Sequence, residues 1–316
     1  MKKFIFILVL FVSSFSISQE KFSQEISFVT DNDLYVSTFR DRYYTSGIFL
    51  AYRYLSNNKN KAIEKRIIEW KLNHEMYTPY KAVVNNVLKH DRPFAGYLYG
   101  SFGINRVYKN KQILNTTIQI GTLGSNSFAE ELQEFIHDIY GFEKAVGWDY
   151  QIKNAFALNL NAEYLKALIK NETKSFDVTW VNQLNLGTIY TNISSGFYAR
   201  IGFKPLQNLT NSIAFNTNLN NEQTSSFRKA ESFFYMKPML RYAIYDATLQ
   251  GSFLNKNSLV TKELIPIVFD VELGVNFTLN RLNFGYAFIY NTNKSKDLRY
   301  NYGHKYGRVS INYLLR

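Results

Sequence analysis

The chain has 316 residues, a formal net charge of +12 and no cysteine. The lack of cysteine excludes disulfides, thiolate metal sites and a cysteine nucleophile. Aromatic residues make up 17% of the chain, with 24 Tyr and 26 Phe, and this content is typical of the aromatic girdles of a membrane β-barrel. The mean hydropathy is −0.24, and after the N-terminus no apolar run is long enough for a membrane-spanning helix. A membrane protein of this composition should therefore cross with strands.

The positive charge is spread along the chain, without a concentrated Lys/Arg tract or a nucleic-acid motif. We therefore expect no nucleic acid partner. Basic rims on a barrel suit the anionic headgroups of a membrane surface, although an ordinary solvated surface explains the charge equally well.

The N-terminus has the pattern of a secretory signal peptide. Lys2 and Lys3 precede an unbroken apolar run over residues 4–12, and Ser16 and Ser18 supply small side chains at a cleavage site. The run is too short to cross a bilayer, which needs about 20 residues. The sequence predicts a signal peptide over residues 1–18 and a single barrel domain over residues 19–316.

Beyond this segment, apolar and polar side chains alternate with a period of two. Ile267, Phe269 and Val271 begin one apolar face, and a second alternating run over residues 282–290 follows the tight turn Asn280–Arg281. Two such runs joined by a short turn predict a β-hairpin. One apolar and one polar face fit lipid outside the barrel and water or packed polar groups inside.

The same alternation recurs along the chain and predicts an all-β fold, a 12-stranded antiparallel transmembrane β-barrel. The strand number is even, as in bacterial barrels. We expect the short turns to face the periplasm and the long connections, residues 206–230 and 246–263, to face outside. The predicted strands are 23–31, 43–56, 66–77, 94–107, 112–123, 152–168, 174–189, 193–205, 231–245, 264–279, 281–292 and 304–315.

A short helix is predicted between strands 5 and 6, over residues 127–140. Ser127 and Glu130 have the spacing of a capping box, apolar residues recur at helical spacing, and Gly141 ends the helix. A helix at this point would carry polar side chains beside its apolar stripe.

Two polar segments at strand ends are candidate functional elements. Asp31, Asn32 and Asp33 could coordinate a hard cation such as Ca²⁺, and a polar loop without metal is the alternative. In the segment 41–47, the alternation places Tyr44 and Ser46 on the outward apolar face, with Thr45 and Gly47 facing the interior. A rigid turn over residues 91–96 enters the next strand, and ordinary barrel architecture explains both of these segments as well.

His137 is the candidate general base. It is one of four histidines and lies on the predicted helix, where Glu130, Gln133 and His137 fall within roughly 60° of one another at about 100° per residue. A histidine oriented by acids can accept a proton near neutral pH. A structural or solvent-exposed histidine is the alternative.

Taken together and in order, these motifs resemble the lipid A 3-O-deacylase family, over essentially the whole mature chain. The motifs are Asp31–Asp33, Asp41–Gly47, Asp91–Leu98, Glu130–His137, Gly147–Gln151 and Thr248–Gly251. The resemblance implies a twelve-stranded outer-membrane barrel that hydrolyses the ester at the 3′ position of lipid A in the outer leaflet and releases an acyloxyacyl chain. It also implies Ca²⁺ as cofactor.

The resemblance further implies the site residues. The positions that match the family's catalytic residues are Asn32, Asp33, Thr45, His137 and Glu143. Of these, Asp33 and Glu143 are expected to bind the metal, and Gln133 and Lys81 to bind substrate. His137 would deprotonate a water that attacks the ester carbonyl, and Glu143 would orient His137 or complete the metal shell.

The resemblance also implies partners: lipid A or lipopolysaccharide as substrate, the outer membrane of a Gram-negative bacterium, and the barrel-assembly machinery. We expect a monomer. Two other functions stay open at this point. An outer-membrane phospholipase would need a Ser-His-Asn arrangement, and no convincing serine partner for His137 is evident. A pore or surface-binding barrel would need no helix beside its wall, and a pore would need a wide lumen, whereas twelve strands usually leave a narrow one.

Overall fold

The computed structural model describes residues 21–36, 41–170, 175–224 and 229–316, so the predicted signal peptide lies outside the described part. Twelve antiparallel strands form a closed barrel in which each strand pairs with its sequence neighbours and β1 pairs with β12. The strands are β1 Gln24–Asn32, β2 Tyr43–Ser56, β3 Ile63–Thr78, β4 Ala95–Tyr108, β5 Gln112–Leu123, β6 Ala155–Lys170, β7 Phe176–Gly187, β8 Tyr190–Gly202, β9 Ser232–Asp246, β10 Ile267–Leu279, β11 Leu282–Asn291 and β12 His304–Leu315.

Two α-helices and six short 3₁₀ helices lie in the described connections. Helix α1 (Ala129–Tyr140) lies between β5 and β6, and α2 (Ala247–Gln250) follows β9. The 3₁₀ helices are Asp33–Tyr35, Val87–Lys89, Ser125–Ser127, Trp148–Tyr150, Leu209–Asn211 and Ile213–Phe215. The fold class, the strand number and the helix between strands 5 and 6 are confirmed.

The barrel wall separates an apolar outside from a charged lumen, as period-two alternation requires. Exposed apolar side chains such as Trp70, Leu72 and Phe156 form a belt on the outside. Inside, Arg53 bridges Glu25 and Glu69. In the described residues, no helix is long and apolar enough to cross a membrane.

The connections divide the barrel into two ends. The terminus end carries residues 21–23, 175 and 316 and the described connecting residues 57–62, 109–111, 203–224, 229–231 and 280–281. The loop end carries the described connecting residues 33–36, 41–42, 79–94, 124–154, 188–189, 247–266 and 292–303.

The predicted placement of residues 206–230 is wrong. This long connection joins β8 to β9, so it lies at the same end as the tight turn between β10 and β11. Its polar residues fold back into the lumen, where Lys65 Nζ donates to the side chain of Asn211 and the carbonyl of Thr217. We refer to the described residues of this connection, 203–224 and 229–231, as the plug. At the loop end, in contrast, β7 and β8 are joined by a tight turn of residues 188–189, so tight turns are present at both ends of the barrel.

The lumen is filled rather than open. Between the plug and the loop end lie two polar cavities of about 320 and 540 Å³, lined by charged and amide side chains. Towards the loop end, the Glu75 carboxylate accepts hydrogen bonds from the hydroxyls of Tyr77, Tyr99 and Tyr190. These tyrosines belong to a buried cluster that closes the barrel above the cavities.

Helix α1 packs against the outside of the wall. Along β3, Trp70 and Leu72 point outwards, and Met76, in the same phase, is buried against Ala129 of the helix. Gly96 of β4 permits this close approach, since a Cβ there would lie 2.3 Å from the Cβ of Ala129.

The helix begins differently from the prediction. The proposed capping box is wrong, because the N-cap is Phe128 in the left-handed region and makes no side-chain cap hydrogen bond. The Ser127 hydroxyl instead donates to the Gly124 carbonyl within the preceding turn. Gly141 ends the helix in the left-handed conformation, as predicted.

Candidate active site

The candidate site lies at the loop end, between α1 and the outer face of β2 and β3. His137 is buried on the inward side of α1. Its Nδ1 lies 2.6 Å from the carbonyl oxygen of Glu143, and its Nε2 lies 3.0 Å from Oδ2 of Asp41. The carbonyl accepts a hydrogen bond from Nδ1–H, so in the neutral ring the lone pair is on Nε2, the nitrogen that faces Asp41.

Two carboxylates approach each other beside this histidine. Asp33 is buried, and its Oδ2 accepts the backbone N–H of Arg42, the residue after Asp41. Burial, together with the charge of Asp41 nearby, raises the pKa of the Asp33 carboxyl to about 8. Its Oδ1 is buried and has no hydrogen-bond partner. An unsatisfied carboxylate oxygen next to a second acid is costly unless a cation or proton compensates it.

The chain that leads into β2 is strained. Asp41 and Tyr43 have φ values of 51° and 61°, in the left-handed region that residues with a Cβ seldom adopt. Two contacts hold Asp41 in place: the Thr78 hydroxyl donates to its carbonyl oxygen, and the Thr45 hydroxyl donates to Thr78. Strain of this kind persists only where surrounding contacts fix it, and it is common at functional sites.

A β-bulge explains why Thr45 takes part. The register of β2 against β3 shifts between Tyr44 and Ser46, so Thr45 is the extra residue. The bulge reverses the predicted phase of the residues before it. The expectation that Tyr44 faces outwards is wrong: its hydroxyl donates to the lumen residue Asp31.

The bulge also corrects the expected direction of Thr45. Its hydroxyl meets that of Thr78, whose phase along β3 is that of outward-facing Leu72 and Met76. Thr45 is therefore on the outer face with the site and not in the interior.

Gln133 lies one turn before His137 on the same buried face of α1. Its Oε1 accepts the indole N–H of Trp148 at 2.8 Å, and its buried Nε2 has no hydrogen-bond partner. Trp148 follows Gly147, whose φ of 124° few other residues could adopt. The Gly147–Gln151 motif thus fixes the side chain of Gln133, one turn from His137, and leaves its amide NH₂ group available to a ligand.

The other residues singled out from the sequence lie around this cluster. Asn32 is half-buried, and its Oδ1 accepts the N–H of Leu34, so it caps the 3₁₀ helix that carries Asp33. Glu143 is exposed, and it is its backbone carbonyl that contacts His137. Lys81 is exposed, with its ammonium 5.7 Å from the centre of the Tyr80 ring.

The Asp91–Leu98 and Thr248–Gly251 motifs hold the loops that frame the site. Asp91 accepts hydrogen bonds from the Tyr43 hydroxyl and from the backbone N–H groups of Tyr80 and Arg299, and so joins the start of β2 to two loop-end connections. Arg92 donates to the hydroxyl of Thr248. These motifs therefore fix the loop end and keep β2 and its strained entry in place.

The other three histidines have structural partners. His74 bonds the carbonyl of Ser127, His90 that of Val84, and His304 that of Tyr44. Only His137 pairs with a carboxylate among the described residues.

Sequence reasoning did not single out Asp41, Thr78 or Trp148, which contact the predicted residues most directly. Asp41 is the first residue of a motif, and its position just before a strand at the end that also carries Asp33 was the available signal. Thr78 could not be found, because its role depends on the bulge, which shifts the register by one residue.

Comparisons with known proteins agree with this arrangement. The family described as "Outer membrane protein LpxR" matches residues 4–315. The chain belongs to the LpxR family. The match spans nearly all of the chain, so the resemblance inferred from the motifs is confirmed, and with it the assignment to the outer membrane.

A solved LpxR structure has a similar fold. LpxR from Salmonella typhimurium is 18% identical, with a TM-score of 0.73, and the match covers 92% of this chain and 100% of that one. The β domain of the Bordetella autotransporter BrkA is 7% identical, with a TM-score of 0.48, over 93% of this chain and 99% of that one. None of the curated proteins compared with the chain matches it.

Proposed function

We propose that this LpxR-family barrel is a calcium-dependent esterase that removes the 3′-linked acyloxyacyl chain from lipid A in the outer leaflet. The observation that carries the proposal is the buried His137–Asp41 pair, with Asp33 beside it, on the outside of the wall under α1. A catalytic histidine on the lipid side of a barrel can reach an ester that stays in the membrane. A lumenal site could not.

The hydrogen bonds of His137 support a role as general base. With the Nδ1 proton held by the Glu143 carbonyl, Nε2 accepts a proton from water, and the resulting hydroxide attacks the ester carbonyl. The imidazolium so formed is stabilised by the Asp41 carboxylate at 3.0 Å. Collapse of the tetrahedral intermediate then returns that proton to the sugar alkoxide, and the products are an acyloxyacyl carboxylic acid and a free 3′-hydroxyl.

The metal part of the proposal rests on Asp33. Its partnerless Oδ1 and the adjacent acid are suited to a hard cation, which prefers oxygen ligands. Among the described residues no group of three or more His, Cys, Asp or Glu could hold a metal, so carbonyl oxygens and water would supply the remaining ligands. Asp33 would hold Ca²⁺, and the exposed carboxylate of Glu143 remains the second predicted ligand. Bound calcium would supply charge to stabilise the oxyanion of the intermediate.

The contacts of the neighbouring residues support further roles in the proposed reaction. Thr45 and Thr78 keep Asp41 in its strained conformation, and Asn32 shapes the turn that presents Asp33. The free amide N–H of Gln133 faces the same buried side of α1 as His137 and would donate to the substrate. Lys81 remains the other predicted substrate-binding residue.

The test is mass spectrometry of lipid A after incubation of purified lipopolysaccharide with the reconstituted protein and Ca²⁺. We expect the loss of one acyloxyacyl group from the 3′ position and no change with the His137→Ala variant. Hydrolysis of phospholipid instead would favour a phospholipase. Ion conductance across planar bilayers without hydrolysis would favour a pore, which the plug and the tyrosine cluster argue against.

A further inference from the structure

The exposed surface of α1 is divided into two flanks of opposite character. Ala129, Gln133 and His137 recur every four residues and are buried against the wall. At about 100° per residue, one flank of the remaining surface is apolar and the other acidic. The apolar flank is Phe128, Leu132, Phe135 and Ile139. The acidic flank is Glu130, Glu131, Glu134 and Asp138.

Three of the four side chains of the apolar flank are uncovered, and the fourth, Leu132, is partly buried. The exposed fractions of Phe128, Phe135 and Ile139 are 61%, 62% and 62%. Three large apolar side chains on one side of a short helix are unfavourable in water at about 25 cal/mol per Å². A helix on the surface of a soluble protein packs its apolar side inwards. Helix α1 does the opposite, with the proposed catalytic histidine and a glutamine inside and its largest apolar side chains outside.

The position of the helix on the barrel indicates what covers that flank. Along the outward phase of β3, Trp70 and Leu72 belong to the apolar belt, and His74 and Met76, the next outward residues, contact the start of the helix. At about 3.3 Å per residue, Leu72 and Met76 are about 13 Å apart. On β6, exposed Phe156 is the second residue of the strand, so the belt there reaches the loop end itself.

We infer that the apolar flank of α1 lies in the hydrocarbon of the membrane leaflet, and that the acidic flank faces the headgroups and water. A helix with one apolar and one charged side is the form that lies in a membrane interface. The occupant is acyl chain, because the flank continues a wall that already contacts acyl chains. One consequence is that the cleft holding His137 is bordered by lipid, so a lipid ester enters it without leaving the bilayer.

The absence of cysteine from the sequence makes a direct test possible. Single-cysteine variants of the full chain, spin-labelled and reconstituted in vesicles of phosphatidylcholine and phosphatidylglycerol, report contact with lipid through collisions with O₂ and contact with water through collisions with a nickel chelate. The test variants are Phe135→Cys and Ile139→Cys. Leu72→Cys is the control for the lipid-facing belt, and Glu131→Cys and Asp138→Cys are the controls for the acidic flank.

We expect labels at residues 135 and 139 to behave like the label at 72, with O₂ collisions exceeding nickel collisions several-fold, and labels at 131 and 138 to show the reverse. Nickel accessibility at 135 and 139 equal to that at 138 would overturn the inference. So would strong spin–spin broadening at 135 that disappears on dilution with unlabelled protein, since a second copy would then cover the flank. These readouts need no catalysis, so they are independent of whether the chain is a deacylase.

Discussion

The two longest connections of this barrel lie at opposite ends and on opposite sides of its wall. Residues 124–154 carry α1 and pack against the outside of the loop end, whereas the plug folds into the lumen at the terminus end. Beside the outer connection, the connection between β1 and β2 carries a strained, partly unsatisfied cluster at Asp33 and Asp41. Most polar groups of the plug have partners instead: Glu231 alone accepts hydrogen bonds from Ser212, Ile213 and Gln207, and Asn220 Oδ1 is an exception without a partner.

This difference indicates which part of the molecule serves function and which part stabilises the fold. Groups left without partners at a fixed position are available to a ligand, whereas a satisfied network rigidifies the fold. We therefore expect substitutions around α1 to reduce activity in a barrel of unchanged stability, and substitutions in the plug network to do the opposite.

The largest effect is expected from removing Asp33, the proposed calcium ligand. The variant Asp33→Ala should lower turnover of lipopolysaccharide by about 10³-fold, because the charge that stabilises the oxyanion is lost. Chelation of the wild-type protein with EGTA should have the same effect, and added Ca²⁺ should reverse it only in the wild type. The control Glu131→Ala removes an exposed acid from α1 and should leave turnover unchanged. Full activity after exhaustive chelation would exclude a metal-dependent reaction.

The second-largest effect on turnover is expected for His137, the proposed general base. The variant His137→Ala should lower turnover by about 10²-fold or more, the usual contribution of a positioned general base. Heat-modifiable gel mobility should show an intact barrel, since Glu143 and Asp41, the partners of the two ring nitrogens, both lie in loop-end connections. The neighbouring variant Asp138→Ala is the matched control, because that side chain is exposed. Near-normal deacylation by His137→Gln would contradict the mechanism.

A smaller effect is expected at Asp41, the residue that the sequence did not single out. The variant Asp41→Ala should lower turnover by about 10- to 100-fold, the scale of one charge-assisted hydrogen bond to the imidazolium. The variant Asp41→Asn should be the more damaging of the two, because its amide can donate to Nε2 and occupy the lone pair that must accept the proton. Wild-type activity of both variants would show that the Asp41 side chain takes no part in the reaction.

The sequence predicted the barrel well because alternation is a local signal. The bounds of β2, β5 and β12 coincide with those predicted, and the helix ends at the predicted Gly141. Errors arose where local pattern and tertiary contact disagree. Ser127 has the spacing of a cap, but the turn carbonyl of Gly124 takes its hydroxyl. The plug has the composition of a surface loop, and only the order of the strands shows at which end it lies.

The candidate site was predictable only in part, for a related reason. His137 and Asp33 stand in motifs, so their residue types and order point to them. The pairing of His137 with Asp41 brings together residues that are distant in sequence. It depends on a bulge at Thr45 and on the packing of α1 against Gly96, and neither has a signal in the period-two pattern.

The smallest expected effect on activity, and the clearest on stability, comes from the plug network. Arg200 is fully buried and donates to Asp177, Ser212 and Glu231. The variant Arg200→Ala leaves the two carboxylates without their cation inside the barrel, and breaking a buried network of this kind costs about 3 kcal/mol. We expect the temperature of the heat-induced shift in gel mobility to fall by several degrees.

Turnover at temperatures where the Arg200→Ala barrel is still folded should stay within about twofold of the wild type, because Arg200 is at the terminus end and the site is outside the wall at the other end. The variant Lys204→Ala removes an exposed cation from the same end and should change neither property. A large loss of deacylation in folded Arg200→Ala would mean that the plug and the outer cleft are coupled through the barrel. The separation between a stabilising end and a reactive end would then have to be abandoned.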